Sequence, residues 1–215
     1  MRIRIDPAGW PFVLGGLVLA IIAGFWIHQL VGWILLALTT FFLFFFRDPE
    51  RRVEAPVSAV LSPADGRVMV AGAPTGHGFP AGEWQQISIF LSPMDVHVNR
   101  MPVGGFVRKV AYHPGRFLPA FRRDAGDLNE YTEVVVDHHG QTIVVRQIVG
   151  ILARRIVCRV TEGQQVRAGD RFGVMKFGSR MDIFLPRDAT IHAKVSDKVV
   201  GGITVMATLS EHHAG

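Results

Sequence analysis

A Gly-Ser dipeptide near the end of the chain is the first place where the sequence suggests chemistry. Gly178-Ser179 lies within Val174–Pro186, whose two flanks have the pattern of strands. Three interpretations are open: a hairpin turn, a carrier site built around Lys176, or a peptide bond that breaks itself. In the third, the serine hydroxyl attacks the carbonyl before it and turns the amide into an ester. Glycine favours this attack because it has no Cβ to block the approach.

Such an attack needs an activated serine, normally through a histidine that is held by a carboxylate. His97 follows a strongly apolar predicted strand and is the candidate base. Asp65, at a predicted turn, could orient it. Asp95 is a second partner, because residues two apart share a face when the chain is extended. The alternatives are an ordinary turn aspartate and a hydrogen-bonded strand histidine.

Metal and nucleic-acid binding lack comparable motifs. The adjacent pair His138-His139 would point to opposite sides of an extended chain, and there is one cysteine and no H-x-H or H-E-x-x-H motif. No metal site is therefore predicted. The 23 Lys and Arg exceed the 18 Asp and Glu, giving a net charge of +5. This balance favours an anionic partner, and without a nucleic-acid-binding motif the headgroups of anionic lipids fit best.

The first 52 residues are predicted to anchor the chain in a membrane. Two apolar runs, Trp10–Trp26 and Leu30–Phe46, contain no Lys, Arg, Asp or Glu and are separated by a short polar break. Each run as a helix would span about 26 Å, slightly less than the hydrocarbon core of about 30 Å. A helical hairpin is therefore expected, with a re-entrant or interfacial pair as the alternative. Arginines precede and follow the runs, which predicts that both ends face the cytoplasm.

Residues 53–215 are predicted to form one mainly β domain, a sandwich or compact barrel. Their apolar pattern has period two, with Asp-Gly, His-Gly, Glu-Gly and Gly-Gly turns, and no confident amphipathic helix follows residue 52. The segment after Val160 resembles the hairpins of biotinyl and lipoyl carrier domains, in which Lys176 would be the carrier lysine. Seven segments are predicted as strands: Arg67–Ala71, Gln86–Leu91, Gly105–Tyr112, Glu130–Asp137, Gln141–Val149, Ile156–Thr161 and Ile203–Leu209.

One segment of the β domain is predicted as a loop. Pro114–Asn129 is rich in proline and glycine, and it places Phe117, Leu118 and Phe121 among arginines. Apolar and basic residues interleaved in this way suit a loop that touches a membrane surface. A surface loop with its aromatic rings packed onto the core is the alternative, and both remain open.

Several short motifs occur together in a fixed order. They are FFRDPER, LSPADGRV, IFLSPMDVHVNRMPVGG, YHPGRF and FGSRMDIFLP. As an ordered set they resemble the phosphatidylserine decarboxylases, in the short proenzyme form, over essentially the whole chain.

The resemblance implies a proenzyme that cleaves itself between Gly178 and Ser179. The β chain would be residues 1–178 and the α chain 179–215, interlocked in one fold. Ser179 would become a pyruvoyl group, whose ketone forms a Schiff base with the amine of phosphatidylserine. Carbon dioxide then leaves, and phosphatidylethanolamine is released. His97 would move protons in both reactions, oriented by Asp65 or Asp95.

Two departures from the long-form relatives concern individual residues. Those relatives carry H-x-x-H-M-P, but this chain has Arg100 in place of the second histidine, so His97 acts alone or another histidine such as His113 substitutes. They carry L-G-S-T at the cleavage point, where this chain has F-G-S-R. Arg180 could contact the lipid phosphate or carboxylate, or simply face solvent. Arg100, His113, Phe177 and Arg180 are therefore the candidate substrate-binding residues.

Two other functions remain open at this stage. One is a decarboxylase of an ether-linked archaeal analogue, whose headgroup would be read by similar residues. The other is a membrane-anchored carrier domain that uses Lys176. The expected partner is phosphatidylserine in an anionic membrane, with the catalytic domain on the cytoplasmic face. A homo-oligomer is a further possible assembly.

Overall fold

The chain forms two compact units, one helical and one built of strands. The computed structural model describes residues 3–75, 78, 80–122, 124–151, 155–176 and 179–210. The first unit comprises residues 1–50 and the second 51–215. The prediction of a mainly β protein behind a helical hairpin is confirmed.

The first unit contains the predicted hairpin of apolar helices. Helix α1 spans Trp10–Trp26 and α2 spans Gln29–Phe45, so each lies within one residue of its predicted bounds. The helices approach closely where both carry glycine, because a Cβ on Gly32 would lie 2.7 Å from the Cα of Gly24. Small residues permit this kind of contact between membrane helices.

Two short strands join the ends of the hairpin. Strand β1 (Ile3–Ile5) pairs antiparallel with β2 (Arg47–Pro49). The segment Pro7–Trp26 is long and apolar enough to cross a membrane, and α2 is a shorter apolar helix. Many large apolar side chains of both helices are exposed, including Phe25 and Trp26. This surface favours a lipid environment over water.

The second unit is organised around an antiparallel sheet of eight strands. Their order across the sheet is β11-β7-β8-β9-β13-β5-β4-β15, and over the described residues the sheet does not close into a barrel. Its strands are β4 (Gly66–Gly72), β5 (Trp84–Leu91), β7 (Gly105–His113), β8 (Tyr131–His138), β9 (Gln141–Ile148), β11 (Gln165–Val166), β13 (Ser179–Pro186) and β15 (Lys198–Val199).

Two sheets of three strands complete the second unit. One has the order β10-β12-β6 and the other β14-β16-β3. The first consists of β6 (Val98–Arg100), β10 (Ile156–Cys158) and β12 (Arg171–Met175), and the second of β3 (Ala59–Leu61), β14 (Thr190–Ile191) and β16 (Val205–Thr208).

The two faces of the large sheet differ in character. Side chains alternate between the faces along a strand, and on β13 Met181, Ile183 and Leu185 are buried in the hydrophobic core. Arg180 and Asp182 lie on the opposite face and are equally buried. The middle of the sheet is therefore buried on both faces, one of them apolar and the other occupied by polar and charged side chains such as Arg180 and Asp182.

The predicted strands are confirmed in the large sheet and are shorter elsewhere. Five of the seven match β4, β5, β7, β8 and β9, but the last two shrink to Ile156–Cys158 and Val205–Thr208. A four-residue helix, α3 (Ala125–Leu128), lies inside the predicted loop Pro114–Asn129. Strands β12 and β13 correspond to the two flanks of Val174–Pro186, and the remaining strands have two or three residues, too few for a period to be recognised.

Candidate functional site

Ser179 is the first residue of β13, in the middle of the large sheet. It lies opposite Leu91, the last residue of β5, and β9 flanks the strand on its other side. The side chain is fully buried, and its Oγ has no hydrogen-bond partner among the described residues. Gly178 and Phe177, predicted as the cleavage site and a substrate contact, lie outside the described residues. A buried serine hydroxyl without a partner is available for reaction. This is consistent with the prediction that Ser179 reacts and becomes a pyruvoyl group.

His97 is buried near the same end of the sheet. The chain turns after β5 and reaches His97 just before β6 begins. The backbone carbonyl of His97 accepts a hydrogen bond of 3.3 Å from the N–H of Met175, four residues before Ser179. Its ring Nδ1 lies 3.1 Å from the backbone carbonyl of Asp95. In a neutral ring, Nδ1 is therefore the donor and Nε2 carries the lone pair that a general base needs.

Asp95 contributes its backbone to the histidine and its carboxylate to a turn. The chain is not extended here, so the argument that Asp95 and His97 share a strand face is wrong. The carboxylate of Asp95 accepts from the N–H of Ser92 at 2.8 Å. A short side chain that bonds to a backbone N–H within its own turn is a common way to fix such a turn.

Asp65 forms a two-point ion pair with Arg51. The Asp65 oxygens accept from Nη1 and Nη2 of Arg51 at 2.6 and 2.8 Å, and from the N–H of Gly201 at 2.8 Å. Neighbouring Pro63 accepts from the N–H of Arg100, which ties the Asp65 turn to β6. A carboxylate has about four lone-pair positions, so one remains for a further donor. Its role in orienting His97 stays a prediction.

Two amide side chains that the sequence did not single out lie on the same face as Ser179. Gln147 on β9 is opposite Met181, two residues along β13 from Ser179. Its Nε2 donates to Oδ1 of Asn99 on β6 at 2.8 Å, and both side chains are fully buried. Asn99 is two residues beyond His97. The pair therefore links the two sheets that carry the candidate base and the candidate nucleophile.

Arg180 lies on the opposite face from Ser179 and is not exposed to lipid or solvent. Only 1% of its surface is accessible. Its Nε and Nη2 donate to the two oxygens of Asp182 at 2.6 and 2.9 Å, and Nη2 also donates to Oγ of Ser88 at 3.0 Å. The expectation of a solvent-facing side chain is therefore wrong, and a contact of Arg180 with the lipid stays a prediction. A buried arginine needs a paired carboxylate to offset the cost of desolvation, and Asp182 supplies it.

His113 lies three strands away from β13. It is opposite Tyr131 on β8, which is opposite Ile148 on β9, which is opposite Arg180. Directly opposed side chains share a face, so His113 belongs to the face of Arg180 rather than that of Ser179. Three strand spacings amount to roughly 14 Å. His113, whose ring stacks on Tyr131 at 4.4 Å, therefore does not replace a second histidine beside Ser179.

Arg100 is buried in the small sheet that also contains Asn99. Its Nη1 donates to the backbone carbonyl of Gly169 at 3.0 Å, and 3% of its surface is accessible. Arg51, Arg171 and Arg100 line one polar cavity of about 340 Å³. Arg100 thus has a structural hydrogen bond in the described protein, and its part in substrate binding stays a prediction.

The arginine-rich loop 114–129 is packed on the sheet by its polar residues and exposes some of its apolar ones. Asn129 donates to the carbonyls of Leu118 and Val149, each at 2.8 Å. Phe121 contacts the ring of Phe90 by one edge, yet 64% of its surface is exposed. Phe121 therefore packs on the sheet by one edge and faces outward with the rest of its ring, and a contact of the loop with a membrane stays a prediction.

Other exposed apolar residues lie at the same end of the large sheet. Met94 follows β5 and is 56% exposed, and Ile151 follows β9 and is 55% exposed. Strands β5 and β9 flank the Ser179 end of β13. Met94, Phe121 and Ile151 together form what we call the apolar rim, which surrounds that end of β13.

The described residues contain no group of three or more His, Cys, Asp or Glu side chains that could hold a metal ion.

Comparisons with known proteins agree on one family. A family model described as phosphatidylserine decarboxylase matches residues 38–207. A phosphatidylserine decarboxylase proenzyme of Granulibacter bethesdensis is 43% identical over 95% of this chain and 85% of its own length. Proteins with the same name from Symbiobacterium thermophilum and Prosthecochloris aestuarii are 42% and 44% identical, over 94% and 81% of this chain and 94% and 80% of their own lengths.

Proposed function

The chain belongs to the phosphatidylserine decarboxylase family, and on that basis we propose that it cleaves itself at Gly178-Ser179 and then decarboxylates phosphatidylserine. The observation that carries the proposal is the fully buried hydroxyl of Ser179, which has no hydrogen-bond partner among the described residues. Leaving a buried hydroxyl unsatisfied costs about 1–3 kcal/mol. Such a cost is expected where a group is kept for reaction rather than for stability.

In the proposed cleavage, Ser179 Oγ attacks the carbonyl carbon of Gly178 and His97 Nε2 accepts the hydroxyl proton. The C–N bond breaks, the nitrogen takes a proton, and an ester joins the two residues. Loss of the α-proton of Ser179 then breaks its Cβ–Oγ bond and releases Gly178 as a carboxylate. Water then displaces the nitrogen of residue 179, which leaves as ammonia. A pyruvoyl group remains at the start of the α chain.

The pyruvoyl group would supply a ketone that condenses with the lipid amine and withdraws electrons while the carboxylate leaves as carbon dioxide. The protein holds this end of β13 in place through ladders to β5 and β9 on both sides. It also keeps bulk water away, since Ser179 and His97 are fully buried. The same ladders would keep the α and β chains associated after cleavage.

An intact-mass spectrum of the purified protein under denaturing conditions tests the proposal. We expect two chains that break after Gly178, the smaller one lighter by one ammonia than a peptide starting with Ser179. Under native conditions the two chains should elute together. One unmodified chain without decarboxylase activity would refute the proposal, and added mass on an uncleaved chain would favour the carrier alternative at Lys176.

The substrate is proposed to be phosphatidylserine, taken from the membrane that holds the apolar helices. The segment Pro7–Trp26 is long and apolar enough to cross a bilayer. Arginines on both sides of the hairpin, including Arg4 and Arg47, favour the cytoplasmic side for both ends. An ether-linked archaeal lipid remains the second candidate, because the site would contact a headgroup that both lipids share.

The apolar rim is predicted to support activity on membranes only. Replacing Met94, Phe121 and Ile151 together by serine removes apolar surface that lies outside the core, so the fold should persist. Activity on phosphatidylserine vesicles should fall about tenfold or more, given about 25 cal/mol per Å² of apolar surface removed from water. Activity on a short-chain phosphatidylserine kept below its micellar concentration should change less than about twofold.

A matched control is available at the other end of the large sheet. Val57 is 69% exposed and lines a cavity together with Gly140, in the β8–β9 turn. Val57→Ser should leave both activities unchanged. An equal loss of activity by the triple variant on vesicles and on the monomeric lipid would contradict a membrane role for the rim.

A further inference from the structure

We propose that the amide pair Asn99–Gln147 binds the serine headgroup of the substrate. Nδ2 of Asn99 would donate to the headgroup carboxylate, and Oε1 of Gln147 would accept from the headgroup amine. This inference rests on the proposed function and adds the residues that recognise the substrate. It starts from two buried side-chain atoms that have no hydrogen-bond partner among the described residues.

The pair lies where a headgroup would have to bind. Gln147 projects from the same face of the large sheet as Ser179, because its opposite residue Met181 is two positions from Ser179. Asn99 is two positions beyond His97, and its Oδ1 accepts from Gln147 Nε2 at 2.8 Å. The pair therefore connects the strand next to the one that carries the serine with the segment that follows the histidine.

Gln147 reaches Asn99 because the strand between them carries no side chain at one position. Asn99 pairs with Gly173 on β12. A Cβ on Gly173 would lie 2.5 Å from Nε2 of Gln147 and 2.3 Å from the carbonyl oxygen of Val157. Glycine at this position leaves the space that the Gln147 side chain occupies.

The contacts of the pair fix which atoms remain available. Gln147 Nε2 is oriented toward two oxygens, Oδ1 of Asn99 at 2.8 Å and the carbonyl of Val157 at 3.5 Å. Its other amide atom is therefore the oxygen, and the second atom of Asn99 is the nitrogen. In the part of the chain that the structure describes, neither Asn99 Nδ2 nor Gln147 Oε1 has a hydrogen-bond partner.

One donor and one acceptor match an amino-acid headgroup. The serine of phosphatidylserine carries a carboxylate that accepts and an amine that donates. Two buried amide atoms left without partners lower the stability of the fold, and binding the headgroup would satisfy both. The product lacks the carboxylate, so it would keep only the contact with Gln147 and bind less tightly.

Cleavage would give the headgroup access to this buried region. Strand β12 ends at Met175 in a small sheet and β13 begins at Ser179 in the large one, so only residues 176–178 connect them. A break before Ser179 would separate the end of β12 from the start of β13. The Asn99–Gln147 pair lies on β6 and β9, which are not cut, and Gln147 shares the sheet face of Ser179.

The test uses the full-length protein with single substitutions of each amide. Asn99→Asp keeps the oxygen that Gln147 binds and replaces only the unpartnered donor. Gln147→Met removes the acceptor with little change of volume. Gln141→Met is the matched control, because Gln141 is a buried glutamine on the same face of the same strand, six residues or about 20 Å away.

Four quantities are measured for each variant: the extent of self-cleavage on a denaturing gel, KM and kcat for phosphatidylserine, and the calorimetric affinity for sn-glycero-3-phosphoethanolamine. We expect all three variants to cleave like the wild type. KM should rise about tenfold or more in N99D and Q147M, the loss expected for a hydrogen bond to a charged group, and stay unchanged in Q141M. The ethanolamine compound should bind about tenfold more weakly to Q147M and no more weakly to N99D.

The outcomes separate this inference from the proposed function. A wild-type protein that neither cleaves nor decarboxylates would refute both. A wild-type enzyme that works, with unchanged KM in N99D and Q147M, would refute the headgroup role alone. Failure of N99D and Q147M to cleave while Q141M cleaves would also refute it, and would assign the amides to cleavage or folding.

Discussion

Replacing Ser179 by alanine is expected to leave one folded chain without decarboxylase activity. Alanine has no oxygen to attack the carbonyl before it, so no ester, no elimination and no pyruvoyl group can form. The fold should tolerate the change, because the serine hydroxyl is fully buried and makes no hydrogen bond to any residue that the structure describes. A denaturing gel and a thermal melt of the same preparation would show the uncleaved chain and its cooperative unfolding.

A second substitution at this position tests whether cleavage depends on a nucleophilic atom or only on the size of the side chain. Ser179→Cys keeps a nucleophilic side chain of similar size, and the same eliminations from a thioester would give the same pyruvoyl group. We expect partial cleavage, in contrast to none for S179A. Cleavage of S179A at the wild-type position would show that another group attacks the bond, and the proposed mechanism would then be wrong.

The elements with long, regular patterns could be predicted from the sequence. The two helices of the first unit are within one residue of their predicted bounds. Long uncharged apolar runs that are bounded by arginines predict both a helical conformation and a position in a membrane. The long strands of the large sheet were equally clear, as their side chains alternate over seven to nine residues. Strands such as β3 or β15 have no such pattern, because tertiary pairing alone defines them.

The partners of individual side chains could not be predicted in the same way. Arg180 follows the reactive serine, but alternation along a strand places it on the other face, where Asp182 and Ser88 bind it. Asp95 has the spacing of a catalytic partner, yet a turn directs its carboxylate to a backbone N–H. Both outcomes depend on the path of the chain, which residue types and spacing do not determine.

The amides of the site illustrate a second limit. Asn99 and Gln147 are 48 residues apart and meet only because β6 and β9 belong to sheets that pack together. Amides are common on strands and do not titrate, so nothing in their local sequence indicates a site. The signal that was present is position: Asn99 lies inside the motif that also contains His97.

Replacing His97 by asparagine is expected to slow self-cleavage by about 10²- to 10⁴-fold, the usual contribution of a general base. The amide nitrogen of asparagine can occupy the place of Nδ1, which lies 3.1 Å from the carbonyl oxygen of Asp95 in the wild type, and keep that hydrogen bond. The base at Nε2 is lost. Asp95→Asn is the matched control, because its side-chain oxygen can still accept from Ser92 and the backbone carbonyl is unchanged. The rates are read from time courses of chain cleavage after rapid purification. If D95N slowed cleavage as much as H97N, the carboxylate of Asp95 would have a role that its turn geometry does not explain; if H97N cleaved at the wild-type rate, the base would have to be another group.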